Sequence, residues 1–175
     1  MNILTDSLDD FVIIRDRKYG VNSDFKTMIK ISETLTKEEV SPAERMARAL
    51  TLFYKTLPEN LTDALAGMKM FYKSDGEGGG EGEKLYSFSV DAPLIYSAFY
   101  SQYHIDLNKE NMHFRKFITL FSGLCGENVF TKAVSVRGAD ISSIKNENLK
   151  NYYRKMKNRY SLSKITLEEG LKAVF

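Results

Sequence analysis

Apolar positions along this chain recur mostly at helical spacing, with two short exceptions. The first is "DDFVIIRDRKYGVNSDF", where Phe11, Val12, Ile13 and Ile14 form one run and Tyr19 and Val21 follow the polar turn "RDRK". That pattern predicts two short strands joined as a hairpin. A helix is expected next, with Phe25, Met28, Ile29 and Leu35 sharing a face. "SPAERMARALTLFYKTL" gives the clearest helix start: Ser41 as N-cap, Pro42 at the first helical position and Glu44 completing a capping box. Its stripe runs through Met46, Ala49, Leu50, Phe53, Tyr54 and Leu57, and Pro58 is expected to close it. The following helix carries Leu61, Ala64, Leu65, Met68, Phe71 and Tyr72, and the short "PEN" turn predicts an antiparallel pair.

The second exception is "KLYSFSV", which alternates apolar and polar residues and reads as a strand near residue 88. Asp91 is then expected to cap a helix with Pro93 in its first turn and Ile95, Tyr96, Phe99, Tyr100 and Tyr103 along it. "NMHFRKFITLFSGLCG" places Phe114, Phe117, Ile118, Phe121 and Leu124 on one stripe, with Gly126 available to end the helix. A short helix in "NVFTKAVSVRG" would turn Phe130, Ala133 and Val134 inward, and "RGAD" (137–140) reads as a turn. "NENLKNYYRKMKNRYSL" puts Leu149, Tyr152, Tyr153, Met156 and Tyr160 on one face. "TLEEGLKAVF" offers a capping box in Thr166 and Glu169, weakened by Gly170 at its middle, so residues 163–175 read as a loose C-terminal helix. The expected fold is mainly α (α+β): a compact multi-helix domain spanning 1–175 as a single unit, with a short N-terminal β-hairpin and an extra strand near residue 88.

Composition narrows the picture. With 175 residues and 43% hydrophobic residues, the chain can build a core without covalent staples. Cys125 is the only cysteine, which rules out an intrachain disulfide and any multi-cysteine zinc site and fits a reducing compartment. The start of the chain lacks a basic n-region and a long apolar run, so no signal peptide is expected, and no stretch approaches the length needed to span a bilayer. The expected location is the cytoplasm.

Net charge is only +2, but it is unevenly spread. From 145 to 164 there are seven basic residues (Lys145, Lys150, Arg154, Lys155, Lys157, Arg159 and Lys164) against Glu147, whereas 74–84 carries Asp75, Glu77, Glu81 and Glu83 against Lys84. The glycine-rich run "SDGEGGGEGEKLYSF" is not a phosphate loop. The Lys is preceded by Glu83 and followed by Leu85, so the Gly-Lys step and the hydroxyl that such a loop requires are both missing. Four carboxylates would also repel a phosphate. Residues 74–84 read as a flexible acidic loop, a spacer of about 17–20 Å.

Catalytic constellations do not emerge. His104 and His113 are nine residues apart on different expected helices, without metal-site company, and read as exposed or partner-free. Cys125, at the expected end of an apolar stripe, reads as a buried structural thiol, because a helix C-terminus disfavours the thiolate. There is no G-x-S-x-G and no acid–base carboxylate couple. The reading is therefore of a non-enzyme with no cofactor and no metal. The basic and tyrosine-rich helix can be an amphipathic helix packed on the core, a protein-partner surface or a nucleic-acid surface. A basic face and an acidic loop in one molecule also suit self-association.

The segments "MNILTD", "NSDFKTMIKI", "YSFSVDAPLIYSAFYSQYHIDL", "MHFRKFITLFSGL" and "YYRKMKNRY", in that order and covering roughly 1–162, resemble a family of tailed-phage proteins from Gram-positive hosts. Its genes lie between those of the major tail protein and the tape measure protein. The resemblance implies a tail assembly chaperone. Such a protein would bind the tape measure protein during tail morphogenesis, with the tail tube protein as a further partner, and would be absent from the mature virion. The partner-binding residues expected from the sequence are Tyr152, Tyr153, Lys155 and Tyr160. The alternatives are a nucleic-acid-binding protein or a structural virion protein using the same basic helix; a membrane role is not expected.

Overall fold

The computed structural model describes residues 2–73 and 85–162. The acidic run 74–84 and the C-terminal segment 163–175 lie outside the described residues. The chain is mainly α, with seven helices and a two-stranded antiparallel hairpin among the described residues. It divides into two compact units, one of residues 1–81 and 106–123 and the other of 82–105 and 124–175.

The first unit begins with the hairpin, β1 (Phe11–Ile14) and β2 (Arg17–Gly20), paired from Phe11 with Gly20 to Ile14 with Arg17. Its two turn residues, Arg15 and Asp16, both have positive φ (46° and 61°), the twist a two-residue hairpin needs. Helix α1 (Phe25–Leu35) follows, capped by the Asp24 carboxylate on the Thr27 N–H. Its buried residues are Phe25, Met28 and Ile31; Ile29 and Leu35, expected inside, are only half-buried.

Helix α2 (Pro42–Phe53) starts where the sequence said, with Ser41 Oγ accepting the Glu44 N–H. The Glu44 side chain pairs with Arg48 one turn on. The helix ends earlier than expected. Tyr54 is extended and forms an antiparallel bridge with Val21, the Asn22 N–H donates to the Phe53 carbonyl, and the Lys55 N–H donates to that of Gly20. The hairpin takes over the backbone before Pro58 can stop it, which leaves Leu57 exposed off the stripe.

Helix α3 (Leu61–Lys73) begins after Asn60, whose Oδ1 accepts the Thr62 and Asp63 N–H groups. It touches α2, but packs more extensively on β1, while α2 packs mainly on α1. Gly67 is what lets α3 approach. A Cβ there would lie 2.6 Å from Tyr54 Oη and 2.9 Å from Ile14 Cδ1. The buried Tyr54 hydroxyl donates to the Ala64 carbonyl at 2.7 Å, and burial pushes its pKa up to about 12.

Helix α5 (Phe114–Ser122) completes this unit. It enters beside α1: Phe25 N–H donates to Met112 O at 3.0 Å and Phe114 N–H to Ser23 O at 2.7 Å. The core is aromatic, with Phe25 stacked on Phe117 at 4.8 Å and Phe53 edge-on to Phe71 at 5.4 Å. α5 ends at Ser122 with Gly123 as its cap, before Gly126. Gly126 instead takes a left-handed conformation (φ 83°) in the following loop.

The second unit holds α4 (Ala92–Tyr103), α6 (Val129–Gly138) and α7 (Glu147–Arg159). α4 and α7 each pack on α6. The apolar core is Ile95, Ala98, Phe99, Phe130, Ala133 and Val136, with Val134 only half-buried. The strand expected near residue 88 does not form. Residues 85–87 are irregular and 88–90 a turn, closed by the Asp91 N–H donating to the Ser87 carbonyl at 2.8 Å. No described strand lies beside it to pair with; the Leu85 carbonyl instead accepts from Arg137 and the Ser87 N–H donates to Asp91 Oδ2.

Candidate functional site

Asp91 precedes α4 as expected, but its carboxylate makes no cap hydrogen bond. Both oxygens turn away from the helix onto Arg137, with Nη1 to Oδ2 at 2.8 Å and Nη2 to Oδ1 at 2.7 Å. The pair is deeply buried, Asp91 at 1% and Arg137 at 9% exposure. The Ser87 N–H also donates to Asp91 Oδ2, at 3.0 Å. Arg137 also donates to backbone: Nη1 to the Leu85 carbonyl at 2.9 Å and Nε to the Tyr160 carbonyl. The Arg137 carbonyl in turn accepts Lys157 Nζ at 2.8 Å. One guanidinium thus ties together the segment before α4, the last turn of α6 and the end of α7. Planar, multiply donating arginine suits this fork better than lysine. Arg137 is therefore the buried end of α6, not part of an exposed "RGAD" turn. The turn begins after it, where Asp140 Oδ1 accepts both the Ser142 N–H and hydroxyl.

Helix α7 is held at this end and carries little of its own core. Asn146 caps it, accepting the Leu149 N–H at 3.1 Å. Glu147 in the first turn and Lys157 and Arg159 in the last complement the helix dipole. None of its residues is buried, so the expected inward stripe does not pack as a core face.

At about 100° per residue, the four residues expected to bind a partner divide between two faces. Tyr153 and Tyr160, half-buried, lie with Lys150 and Lys157 on the face that carries the Arg137 contacts. Tyr152 (49% exposed) and the exposed Lys155 lie on an outer flank with Leu149 (47% exposed), half-buried Met156 and exposed Arg159. Tyr152 and Tyr153 meet edge-to-face at 5.7 Å.

The basic residues also divide. Lys150 and Arg154 each reach Glu147 at 4.0 Å, Arg154 also bonds Asn151, and Lys157 serves the Arg137 carbonyl. Lys155 and Arg159 have no ion pair within the described residues. Lys164 lies outside them.

The other chemically notable side chains take structural places. His113 is neither exposed nor partner-free: it is the N-cap of α5, its Nδ1 accepting the Arg115 N–H at 3.1 Å. Its Nε2 lies 3.1 Å from the Asp9 carbonyl, which can only accept, so the ring is the neutral Nε2–H tautomer. Burial lowers its pKa below the ordinary histidine value, opposed by the hydrogen bond to Asp9. His104 is exposed at the left-handed C-cap of α4 (φ 56°). Cys125 is exposed, not buried, because α5 stops three residues before it and the thiol falls in the loop. Its N–H donates to Gln102 Oε1 at 3.0 Å. Among the described residues no group of three or more His, Cys, Asp or Glu could hold a metal ion, and no helix is long and apolar enough to cross a membrane.

Sequence reasoning missed the Asp91–Arg137 pair. A signal was present: Arg137 continues the Phe130–Ala133 stripe of α6, where a charge inside an apolar series calls for a buried partner.

The sequence is that of a bacteriophage protein. More particularly, the model of the Bacteriophage Gp15 protein family matches residues 4–162, and the chain belongs to that family. No curated protein and no solved structure gave a match.

Proposed function

We propose that this protein is a non-enzymatic tail assembly chaperone, acting in the cytoplasm of the bacterial host. It binds the tape measure protein during tail morphogenesis and leaves before the particle is complete. Membership of a bacteriophage family supports the setting, and the order of segments that resembles tail-gene proteins supports the role. The observation that carries the reading is the outer flank of α7, where Leu149 and Tyr152 stand about half exposed beside Lys155 and Arg159, which have no ion pair within the described residues.

A tape measure chain is long and helical, with amphipathic stretches that would aggregate before tube subunits enclose them. An apolar strip with a charged rim on a helix is a fitting counterpart for such a stretch. Many copies side by side hold it by avidity without any one tight site.

The test is co-expression with the tape measure protein encoded alongside, then size-exclusion chromatography of the soluble fraction. Co-elution, with the tape measure protein insoluble when made alone, is the expected result. Separate elution with no gain in solubility overturns the proposal. Nucleic-acid binding, the second reading, has less support, because Lys150, Arg154 and Lys157 are already engaged within the protein.

A further inference from the structure

We infer that the docking surface is the outer flank of α7 alone (Leu149, Tyr152, Lys155, Met156 and Arg159) and that its partner is an amphipathic helix with an acidic rim. The inference rests on the binding role proposed above and adds the chemistry of the ligand. It follows from the uneven use of charge around one helix. On the opposite side Arg154, and Lys150 at the edge of the inner face, share the single Glu147 carboxylate at 4.0 Å each, so the cations there have an acid of their own beside them. The inner face is committed to Arg137 through Lys157 and the Tyr160 carbonyl. Only the outer flank combines exposed apolar carbon with positive charge that has no ion-pair partner within the described residues.

The geometry selects the class of occupant. Leu149, Tyr152 and Met156 are spaced i, i+3, i+7, the spacing at which one helix offers a continuous apolar strip to another. Lys155 and Arg159, four residues apart, form a row along one border of that strip. A helix laid on it would bury its own apolar face on Leu149, Tyr152 and Met156, with carboxylates facing Lys155 and Arg159. A phosphate backbone would use the two cations but leave Leu149 and Met156 without a matching apolar surface, so a helical protein segment is the better complement. Tyr153 and Tyr160 fall outside this surface, being half-buried on the face that carries the Arg137 contacts.

The test uses the full chain and two synthetic helical peptides. Both carry leucines at i, i+3, i+4 and i+7; one is flanked by glutamates and its twin by lysines at the same positions. At low salt the acidic peptide is expected to bind at least tenfold more tightly than its twin by fluorescence anisotropy. K155E/R159E should invert that preference, and Y152A should weaken acidic-peptide binding about tenfold without changing the circular dichroism. Equal affinity for the twins, or a preference that survives K155E/R159E, overturns the inference. So does tighter binding of a single-stranded oligonucleotide than of the acidic peptide. Concentration-dependent dimerisation abolished by K155E/R159E, with no peptide binding, would make a second copy the occupant and also overturns it. The two proposals fail separately. If K155E/R159E still co-elutes with the tape measure protein, this surface is wrong and the chaperone role stands. If the wild type binds the acidic peptide through this flank but not the tape measure protein, the role falls and the surface stands.

Discussion

Helices α5 and α7 look alike as sequence, each an aromatic stripe among basic residues, yet they do opposite things. α5 buries Phe114, Phe117 and Ile118, with Phe117 stacked on Phe25, and its N-cap His113 is partly buried. α7 buries nothing and is fastened by the carbonyl of Tyr160 and the ammonium of Lys157 to one arginine. The difference is in how each stripe is satisfied. Phenylalanine has no polar atom and must leave water, whereas tyrosine, lysine and methionine tolerate half-exposure with the polar end wet. The unit around α5 is thus held by apolar stacking, and the unit around α7 by a smaller apolar core plus a buried ion pair. A stripe of the first kind reports a core; a stripe of the second kind reports a surface.

The largest effect is expected where the second unit depends on charge. Arg137→Met leaves the Asp91 carboxylate buried and unpaired and should destabilise the protein by about 3–5 kcal/mol in urea denaturation. Replacing both partners with apolar residues, D91L/R137M, should recover most of that loss, because it is the widowed charge that is costly. If the single and double variants are equally unstable, the pair's role lies in its backbone bonds to Leu85 and Tyr160.

In the first unit the comparable break is steric. Gly67→Ala places a methyl against Tyr54 Oη and Ile14, and the Tyr54 hydroxyl is pinned to the Ala64 carbonyl. A loss of about 1–3 kcal/mol is expected, measured the same way.

A smaller effect separates the units by pH. His113 has a folded pKa below its unfolded one, through burial, so as pH falls past about 6.5 the unfolded chain takes up the proton first. Stability is therefore full above that pH and declines until the folded pKa is passed. The groups facing the ring are Asp9, Asp10 and Arg115, and Asp10 is held ionised by its bond to Lys55 well below this window. His113→Asn keeps a capping acceptor without the titration. Its denaturation midpoint should change less than the wild type's between pH 7.5 and 5; an equal change would remove His113 from the account.

The smallest effect on stability should come from α7's outer flank. Y152A and K155E are expected to change the unfolding free energy by less than about 0.5 kcal/mol in urea denaturation, as exposed substitutions do. A larger loss would mean that this flank is structural.

Much of the fold was legible because its signals are local. Ser41 with Pro42 announced α2, the "RDRK" segment announced the hairpin turn, and the helical stripes marked the seven helices of the described residues. What could not be read was decided at a distance. α2 ends at Phe53 because Gly20 and Asn22, some thirty residues earlier, claim its next backbone groups. Asp91 looked like Asp24, a carboxylate at a helix start, and only Arg137, 46 residues on, draws it away from capping. The segment near residue 88 had the right alternation but, among the described residues, no strand to pair with. Of the candidate site, the choice of helix came from charge and tyrosine content. The division of its residues into an inner and an outer face depended on Arg137 and could not be seen along the chain.

The measurement that bears most directly on the central claim is the soluble fraction of the tape measure protein co-expressed with the wild type and with Y152A/K155E/R159E. The account predicts a soluble, co-eluting complex with the wild type and an insoluble tape measure protein with the triple variant, which should itself remain folded and soluble. A tape measure protein equally soluble with both, or with neither, would contradict it.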